Sequence, residues 1–178
     1  RILGRFGVQW LDFPAGATRE EIESVIERAK GLGRVSLIYL ERPTNPTNQL
    51  VDVQAVAPAR AALFDGDTPA PPIAIDNTFL GPLWSKPLEH GADLSVYSLT
   101  KYAGGHSDRV AGGIVGKKPL LDPIRAMRNT IGTITDPHTA WMLLRSLETL
   151  ELRMTRAGEN AGKVCQFLRD HSKVESVG

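Results

Sequence analysis

Residues 93–105 of the 178-residue chain read DLSVYSLTKYAGG, and this pattern decides the fold. The segment begins as a short apolar strand and then turns polar, with one lysine between a threonine and a tyrosine. Two earlier segments repeat the pattern, because RVSLIYLE runs into PTNPTN and PIAI runs into DNTF. Apolar runs of this length are typical of strands buried on both faces of a parallel sheet. Three strands are therefore predicted, each ending in a polar cluster.

Helical patterns separate the strands. A capping box at Thr18 and Glu21 precedes an apolar stripe, which predicts a helix over residues 18–30. That helix is expected to end at the glycines that follow, Gly31 and Gly33. Strands that alternate with helices form βαβ units. We therefore predict an α/β fold with a mostly parallel sheet flanked by helices.

The sequence predicts two more helical regions and one more strand. A helix is expected through residues 52–64, with a kink at Pro58, and RVAGGIVGKK predicts another strand. Asp136 followed by proline is typical of a helix N-terminus, and residues 138–154 should form that helix. The following segment either continues it or forms a second helix after a break at Gly158.

Composition narrows the classes of partner. Lysine and arginine total 21 against 20 acidic residues, which gives no reason to expect nucleic acid or an anionic membrane as a partner. A small metabolite or another protein is expected. The single cysteine, Cys165, excludes an internal disulfide framework, is expected in the core, and fits a cytoplasmic location. The histidines lack the spacing of metal ligands, so no metal site is predicted.

The strand ends carry the candidate chemistry. Ligands of open parallel sheets bind outside the carboxyl ends of the strands, so the clusters around Asn45, Asp76 and Lys101 should converge. Lys101 has two readings: a lysine whose stem packs while its ammonium reaches water, or one that condenses with a carbonyl group. Ser98 and Thr100 favour the second, because two hydroxyls on one strand face can bind a phosphate.

Other residues of the polar clusters also bear on the role of Lys101. Gly104 and Gly105 permit close backbone approach, and His106 beside them is expected to hydrogen-bond within the glycine-rich loop. Asp76 is either a cap or loop ligand or the counter-ion of a buried cation, such as a protonated pyridine nitrogen. Asn45 alone is typical of a turn. A lysine that forms a Schiff base together with such an aspartate is the pattern of pyridoxal 5′-phosphate (PLP) enzymes. A Schiff-base aldolase without PLP would leave the aspartate and the hydroxyls without a shared task.

Three motifs in this order carry a family resemblance: ERPTNPTNQLVDV, AIDNTFLGPLWSKPLEHGAD and YSLTKYAGGHSD. They resemble the Cys/Met-metabolism PLP enzymes, which include cystathionine γ-synthase, cystathionine β- and γ-lyases and methionine γ-lyase. The resemblance continues through DPHTAWMLLRSLETLELRM to the end of the chain. It implies the large domain of a fold-type-I PLP-dependent transferase, a small amino-acid substrate, a cytoplasmic location and a homotetramer.

The resemblance also implies roles for single residues. Lys101 would bind PLP covalently, Asp76 would contact the pyridine nitrogen, and Asn45 would lie near the phenolate oxygen. Ser98 and Thr100 would bind the phosphate, and Thr78 would pack on the face of the ring. Two positions depart from the family pattern: Tyr97 replaces an expected histidine, and Arg109 replaces an aliphatic residue.

Domain boundaries follow from the same comparison. Residues 1–135 are expected to form the central part of the PLP-binding large domain, and residues 136–178 the helices that lead to a small C-terminal domain. Because family members are longer, and because the chain starts without methionine, we expect a fragment that lacks part of its pocket. The predicted function is elimination or replacement at the γ- or β-carbon of a sulfur-containing or related amino acid, in transsulfuration. The alternative is a catalytically incomplete fragment with a structural or assembly role.

Overall fold

The computed structural model describes residues 2–64, 66 and 69–177, which divide into two compact units. The first unit runs to Asp76 and includes Pro87–Ser95, and the second comprises Asn77–Lys86 and the chain from Val96 onward. The described strands form a four-stranded sheet in the order β1-β2-β3-β4: Ile38–Glu41, Ile73–Asp76, Leu94–Ser98 and Gly112–Gly116. Helices accompany these strands in both units, so the predicted α/β class is confirmed.

Helix α1 of the first unit, Arg19–Leu32, begins as the sequence predicts. The Thr18 hydroxyl accepts from the Glu21 amide at 3.3 Å, and the Glu21 carboxylate accepts from the Thr18 amide at 2.8 Å. The helix continues through Gly31, contrary to the predicted end there, and stops at Gly33. Gly33 has a φ of 152°, which L side chains rarely adopt, so it is the position that requires glycine.

The core of the first unit lies between two helices and two strands. Helix α2, Val53–Leu63, packs on α1 and runs through Pro58. Strands β1 and β2 are parallel, with Ile38 paired to Ile73. The buried side chains at the centre come from all four elements: Ile22, Ile26, Ile38, Leu40, Val53, Val56, Ala59, Ile73 and Ile75.

Strand β1 differs from its prediction. It was expected to be buried on both faces, but Ile38 and Leu40 are buried whereas Tyr39 between them is 54% exposed. The strand thus buries one face only, since side chains alternate along a strand. Strand β2 matches the prediction, because Ile73, Ala74 and Ile75 are all buried.

The described residues of the second unit form the end of β3, strand β4 and the helices α3 (Gly81–Trp84), α4 (Lys118–Ile131), α5 (Pro137–Leu147) and α6 (Leu150–Arg169). Helix α4 is absent from the sequence prediction, because Pro119 and Pro123 interrupt its pattern. Pro119 is tolerated in the first turn, where backbone amides have no partner within the helix. Gly132 ends α4 with a φ of 75°.

Helices α5 and α6 occupy the region where one long helix or a break at Gly158 was predicted. The N-cap at Asp136 is confirmed, since its carboxylate accepts from the Thr139 amide at 3.0 Å. The break lies at residues 148–149 instead, and α6 passes through Gly158. A Cβ at Gly158 would lie 3.2 Å from the Trp84 ring, so this glycine provides a close approach rather than a helix end. Cys165, expected in the core, is exposed on α6.

Candidate functional site

In the first unit, β1 and β2 end side by side. The parallel register pairs Glu41 with Asp76, and the Arg42 amide donates to the Asp76 carbonyl at 3.1 Å. The backbone amide of Asn45 donates to the Glu41 carboxylate at 3.1 Å. Two of the three predicted clusters, around Asn45 and Asp76, therefore follow neighbouring strands at one edge of the sheet. Asn45 is exposed and Asp76 is half-buried.

The face of the sheet that carries Asp76 also carries a perturbed phenol. Tyr39 and Glu41 share a face of β1, and their strand partners are Ala74 and Asp76. Burial raises the pKa of Tyr39 above its ordinary value of 10.0, and the negative charges of Asp76 and Glu41 and hydrogen bonding with Asp76 raise it further. The phenol therefore remains protonated beside the carboxylates at neutral pH.

In the second unit, Lys101 lies in a turn that directly follows β3. Its amide donates to the Ser98 carbonyl at 3.2 Å, and its carbonyl accepts from the Gly105 amide at 2.7 Å. The Gly104 amide closes the same turn by donating to the Leu99 carbonyl at 2.8 Å. Lys101 is exposed, and its amine has no hydrogen-bond or ion-pair partner among the described residues. The backbone of the lysine is therefore held by hydrogen bonds of the turn, while its side chain is exposed.

The hydroxyl residues around this turn differ in how they are used. Thr78 accepts through its hydroxyl oxygen from the Ser98 amide at 2.8 Å. Thr100 accepts from the Ala111 amide at 3.1 Å and lies 3.4 Å from the Ala111 carbonyl. The Ser98 hydroxyl makes no hydrogen bond to any described residue. Thr78, Ser98 and Thr100 thus lie near the lysine turn, and Thr100 also links that turn to the start of β4.

The glycines after Lys101 permit close approach, as the sequence predicts. An added Cβ at Gly104 would lie 2.7 Å from the Leu99 carbonyl oxygen, and one at Gly105 would overlap the guanidinium of Arg153. The glycines therefore allow the turn to close on itself and an arginine to lie against it. The expected bond of His106 is confirmed, since its Nδ1 lies 2.8 Å from the Gly104 carbonyl.

Sequence reasoning missed the role of Asn77, which follows Asp76. Asn77 is fully buried, and its Nδ2 donates to the carbonyls of Gly81 at 2.8 Å and Ser85 at 2.9 Å. The Tyr97 hydroxyl lies 3.2 Å from the same nitrogen. An asparagine between an aspartate and a threonine does not by itself predict a buried structural role. That role depends on the two carbonyl groups to which its side chain donates.

Two buried or half-buried arginines were also missed. Arg109 is 9% exposed; its guanidinium pairs with Asp108 at 2.6 Å and donates to the Ser146 hydroxyl at 3.1 Å. Hydrogen bonding to Asp108 raises the pKa of Arg109 and lowers the pKa of that carboxyl. Arg153 donates to the Tyr102 carbonyl at 2.5 Å. The unusual residue at position 109 was visible in the sequence, but its buried pairing was not.

Comparison with known proteins identifies the family. The family model described as "Cys/Met metabolism PLP-dependent enzyme" matches residues 1–178. The chain belongs to the Cys/Met-metabolism family of PLP-dependent enzymes. Pyridoxal 5′-phosphate is therefore the expected cofactor of this family member, and the predicted family, fold and cofactor are confirmed.

Members of the family with related sequences and structures have several activities. An L-methionine γ-lyase of Fusobacterium nucleatum subsp. polymorphum is 34% identical, over 98% of this chain and 42% of the relative. A cystathionine γ-synthase of Mycobacterium bovis is 41% identical, over 81% of this chain and 36% of the relative. The crystal structure of an apo methionine γ-lyase from Micromonospora echinospora matches with a TM-score of 0.86 and 30% identity, over 96% of this chain and 44% of that one. The chain thus spans less than half the length of these relatives.

The functional groups of the described site residues are of the kinds that bind PLP. Lys101 supplies a primary amine, the group that condenses with an aldehyde. Ser98 supplies a hydroxyl that no described residue uses, and Thr100 can exchange its long bond to Ala111 for a phosphate oxygen. Asp76 supplies a carboxylate, the group that pairs with a protonated pyridine nitrogen.

Two kinds of feature are absent from the described residues. No group of three or more histidine, cysteine, aspartate or glutamate side chains that could hold a metal ion occurs among them. None of the helices in the described part of the chain has the length and apolar character that crossing a membrane requires.

Proposed function

We propose that these residues form the central part of a PLP-dependent enzyme that eliminates or replaces a group at the γ- or β-carbon of a sulfur-containing or related amino acid. The proposal is supported by one observation above all. A turn after β3 leaves the amine of Lys101 without a described partner, and the same stretch of chain carries the hydroxyls of Ser98 and Thr100. The lyase and synthase relatives support the same class of substrate.

Lys101 has two tasks in this proposal. Its amine would hold the cofactor covalently, and in its free form the same amine would accept the substrate α-proton and later return it. Bound PLP supplies an electron sink for the negative charge left at the α-carbon. The fixed backbone of the lysine turn supports this transfer, because a proton moves only between correctly placed atoms.

The other predicted residues bind and orient. Asp76 holds the pyridine nitrogen in its protonated form, and Asn45 donates to the phenolate oxygen. Ser98 and Thr100 donate hydroxyl protons to the phosphate. Thr78 packs against the face of the ring, in a rotamer that its bond from the Ser98 amide restricts. A cytoplasmic homotetramer is the expected form of the intact enzyme.

Replacement of Lys101 tests the chemistry. In the intact enzyme, Lys101→Ala is expected to abolish turnover while part of the cofactor binding remains, because the other contacts persist. Lys163→Ala, on the exposed part of α6, serves as the matched control and is expected to retain activity. Normal turnover by Lys101→Ala would refute the assigned role.

The product profile tests the substrate class. The intact enzyme is to be incubated separately with methionine, with cystathionine, and with an O-acylhomoserine plus cysteine. Release of a thiol or a 2-oxo acid from the first two would indicate a lyase, and cystathionine from the third would indicate a synthase. No reaction with any of the three would contradict the proposed function.

A second candidate is that the 178 residues alone are catalytically incomplete and serve assembly. Exposed apolar side chains favour it: Val110, Val115, Met127, Ile131, Trp141 and Leu144 are each more than half exposed. Large apolar surfaces of this kind mark interaction sites or lower solubility. The isolated chain is expected to be inactive and poorly soluble, and measurable turnover by it would contradict this candidate.

A further inference from the structure

A single arginine holds the backbone that follows Lys101. Arg153, in the first turn of α6, donates from Nη1 to the Tyr102 carbonyl at 2.5 Å and from Nη2 to the Ala103 carbonyl at 3.3 Å. The other bonds of the same guanidinium reach the junction of α5 and α6. Nη2 donates to the Ser146 carbonyl at 2.7 Å, and Nε donates to the Thr149 hydroxyl at 3.1 Å. The lysine turn and the helix junction are therefore joined through one rigid group.

The position of the Arg153 guanidinium explains why residue 105, close to the lysine, is a glycine. Gly105 has a φ of 79°, and an added Cβ there would lie 2.7 Å from Arg153 Cζ and overlap Nη1. Any larger residue would displace the guanidinium from the carbonyls as well as strain the backbone. Gly105 and Arg153 are therefore a matched pair.

The arrangement of the hydrogen bonds made by residue 153 requires an arginine, and a lysine could not replace it. Three carbonyl oxygens from two separate segments converge on adjacent nitrogens of the guanidinium. A planar fork with five donors can serve all of them at once, whereas an ammonium is a single point of charge on a flexible stem.

We propose that Arg153 is a positioning residue for Lys101: it fixes the turn from outside and so sets the direction from which the lysine amine reaches the cofactor and the substrate α-proton. The proposal rests on the proposed role of Lys101. The turn already has internal bonds, since the Lys101 carbonyl accepts from the Gly105 amide. Arg153 adds the attachment to the rest of the second unit, against which the amine must be placed.

Variants of the intact enzyme test this role. Arg153→Met removes the fork, Arg153→Lys keeps the charge but not the fork, and Gly105→Ala displaces the fork without removing it. Each is expected to lower kcat by roughly 10- to 100-fold, the effect of misplacing a reacting group by about 1 Å, with a smaller change in KM. Each should also shift the pH at which the visible band of the lysine-bound cofactor titrates. Arg169→Met, at the exposed end of the same helix, is the control and should match the unmodified enzyme.

Rescue separates positioning from folding. Added methylguanidine is expected to restore part of the kcat of a further variant, Arg153→Ala, whose short side chain leaves room for it. It should restore none of the kcat of Gly105→Ala, where the added methyl group occupies part of the guanidinium position. If Arg153→Met does not fold, Arg153→Lys and Gly105→Ala decide the matter. An unchanged kcat and an unchanged titration in these variants would overturn the proposal, and so would losses that only follow the loss of folded protein. With the cofactor attached to Lys101 throughout, such a result would leave the proposed function intact; attachment at another lysine would overturn both.

Discussion

Replacement of Asn77 should destabilise the segment that links β2 to α3. Its buried Nδ2 donates to the carbonyls of Gly81 and Ser85, which no other described side chain reaches. Since both neighbours are carbonyl oxygens, the orientation of the amide is fixed by its partners. Asn77→Ala leaves these two carbonyls without a donor.

The expected magnitude follows from these two bonds. A neutral hydrogen bond contributes about 1 kcal/mol net, and a buried acceptor left without a partner costs about 1–3 kcal/mol. Asn77→Ala is therefore expected to lower the free energy of unfolding by about 2–4 kcal/mol. If the segment opens locally, amide exchange over residues 77–85 should accelerate by roughly 30- to 1000-fold, since about 1.4 kcal/mol corresponds to a factor of ten.

Asn77→Asp extends the test, because it keeps the shape of the side chain and replaces the donor with an oxygen. Burial beside two carbonyls disfavours the ionised form, so the pKa of the introduced carboxyl in the folded state should exceed its unfolded value of about 3.9. A raised pKa means that the folded state binds the proton more tightly. The variant should therefore be most stable below about pH 4 and lose stability as the pH rises through the folded-state pKa.

Denaturant unfolding of the intact protein at several pH values, with hydrogen exchange of residues 77–85, measures both effects. Asn77→Ala should differ from the unmodified protein by a similar amount at every pH, and Asn77→Asp by an amount that grows with pH. A loss below about 0.5 kcal/mol for Asn77→Ala, the range of ordinary surface substitutions, together with unchanged exchange, would refute the reasoning.

Two further predictions concern titrating groups. The pKa of Tyr39 lies above 10.0, so the folded state should lose stability as the pH rises from about 10 through that raised value; Asp76→Asn should lower this pKa in a spectrophotometric titration, and an unchanged value would show that the Asp76 charge does not act on the phenol. Hydrogen bonds from Thr139 lower the pKa of Asp136, so its contribution to α5 should be complete above about pH 4 and vanish as the pH falls through the folded-state pKa. Asp136→Ala should remove this acid-dependent part of the stability, and an identical acid transition in the variant would contradict the assigned cap.

Local signals in the sequence were sufficient for the elements nearest the site. Capping residues fixed the starts of α1 and α5, and short apolar runs with polar ends located β1, β2 and β3. The predictions failed at two helices. Helix α4 was not predicted because Pro119 and Pro123 interrupt its pattern, although a proline in the first turn is tolerated. Helix α6 passes through Gly158, whose missing side chain leaves room for the Trp84 ring.

Some residues of the candidate site could be predicted from the sequence, and others could not. The polar ends of the strands were visible in the sequence as residue types that follow short apolar runs. The predicted shared strand face of Ser98 and Thr100 was wrong, because β3 ends at Ser98 and Thr100 lies in the turn that follows. The supports of the site were not visible. Asn77, Arg109 and Arg153 act on backbone carbonyls or on partners distant in sequence, and a carbonyl leaves no mark in an amino-acid sequence. Arg153 is the clearest case, since the sequence shows neither its carbonyl partners nor the space that Gly105 leaves for its guanidinium.

Borohydride reduction of the PLP-loaded intact protein, followed by peptide mass mapping, tests the central claim most directly. Reduction makes the bond between the cofactor and its lysine permanent, so the modified peptide identifies the residue. The pyridoxyl group is predicted on Lys101, in the peptide that contains the turn after β3. A pyridoxyl group on another lysine, such as Lys86 or Lys117, or the absence of any labelled peptide, would contradict the assignment.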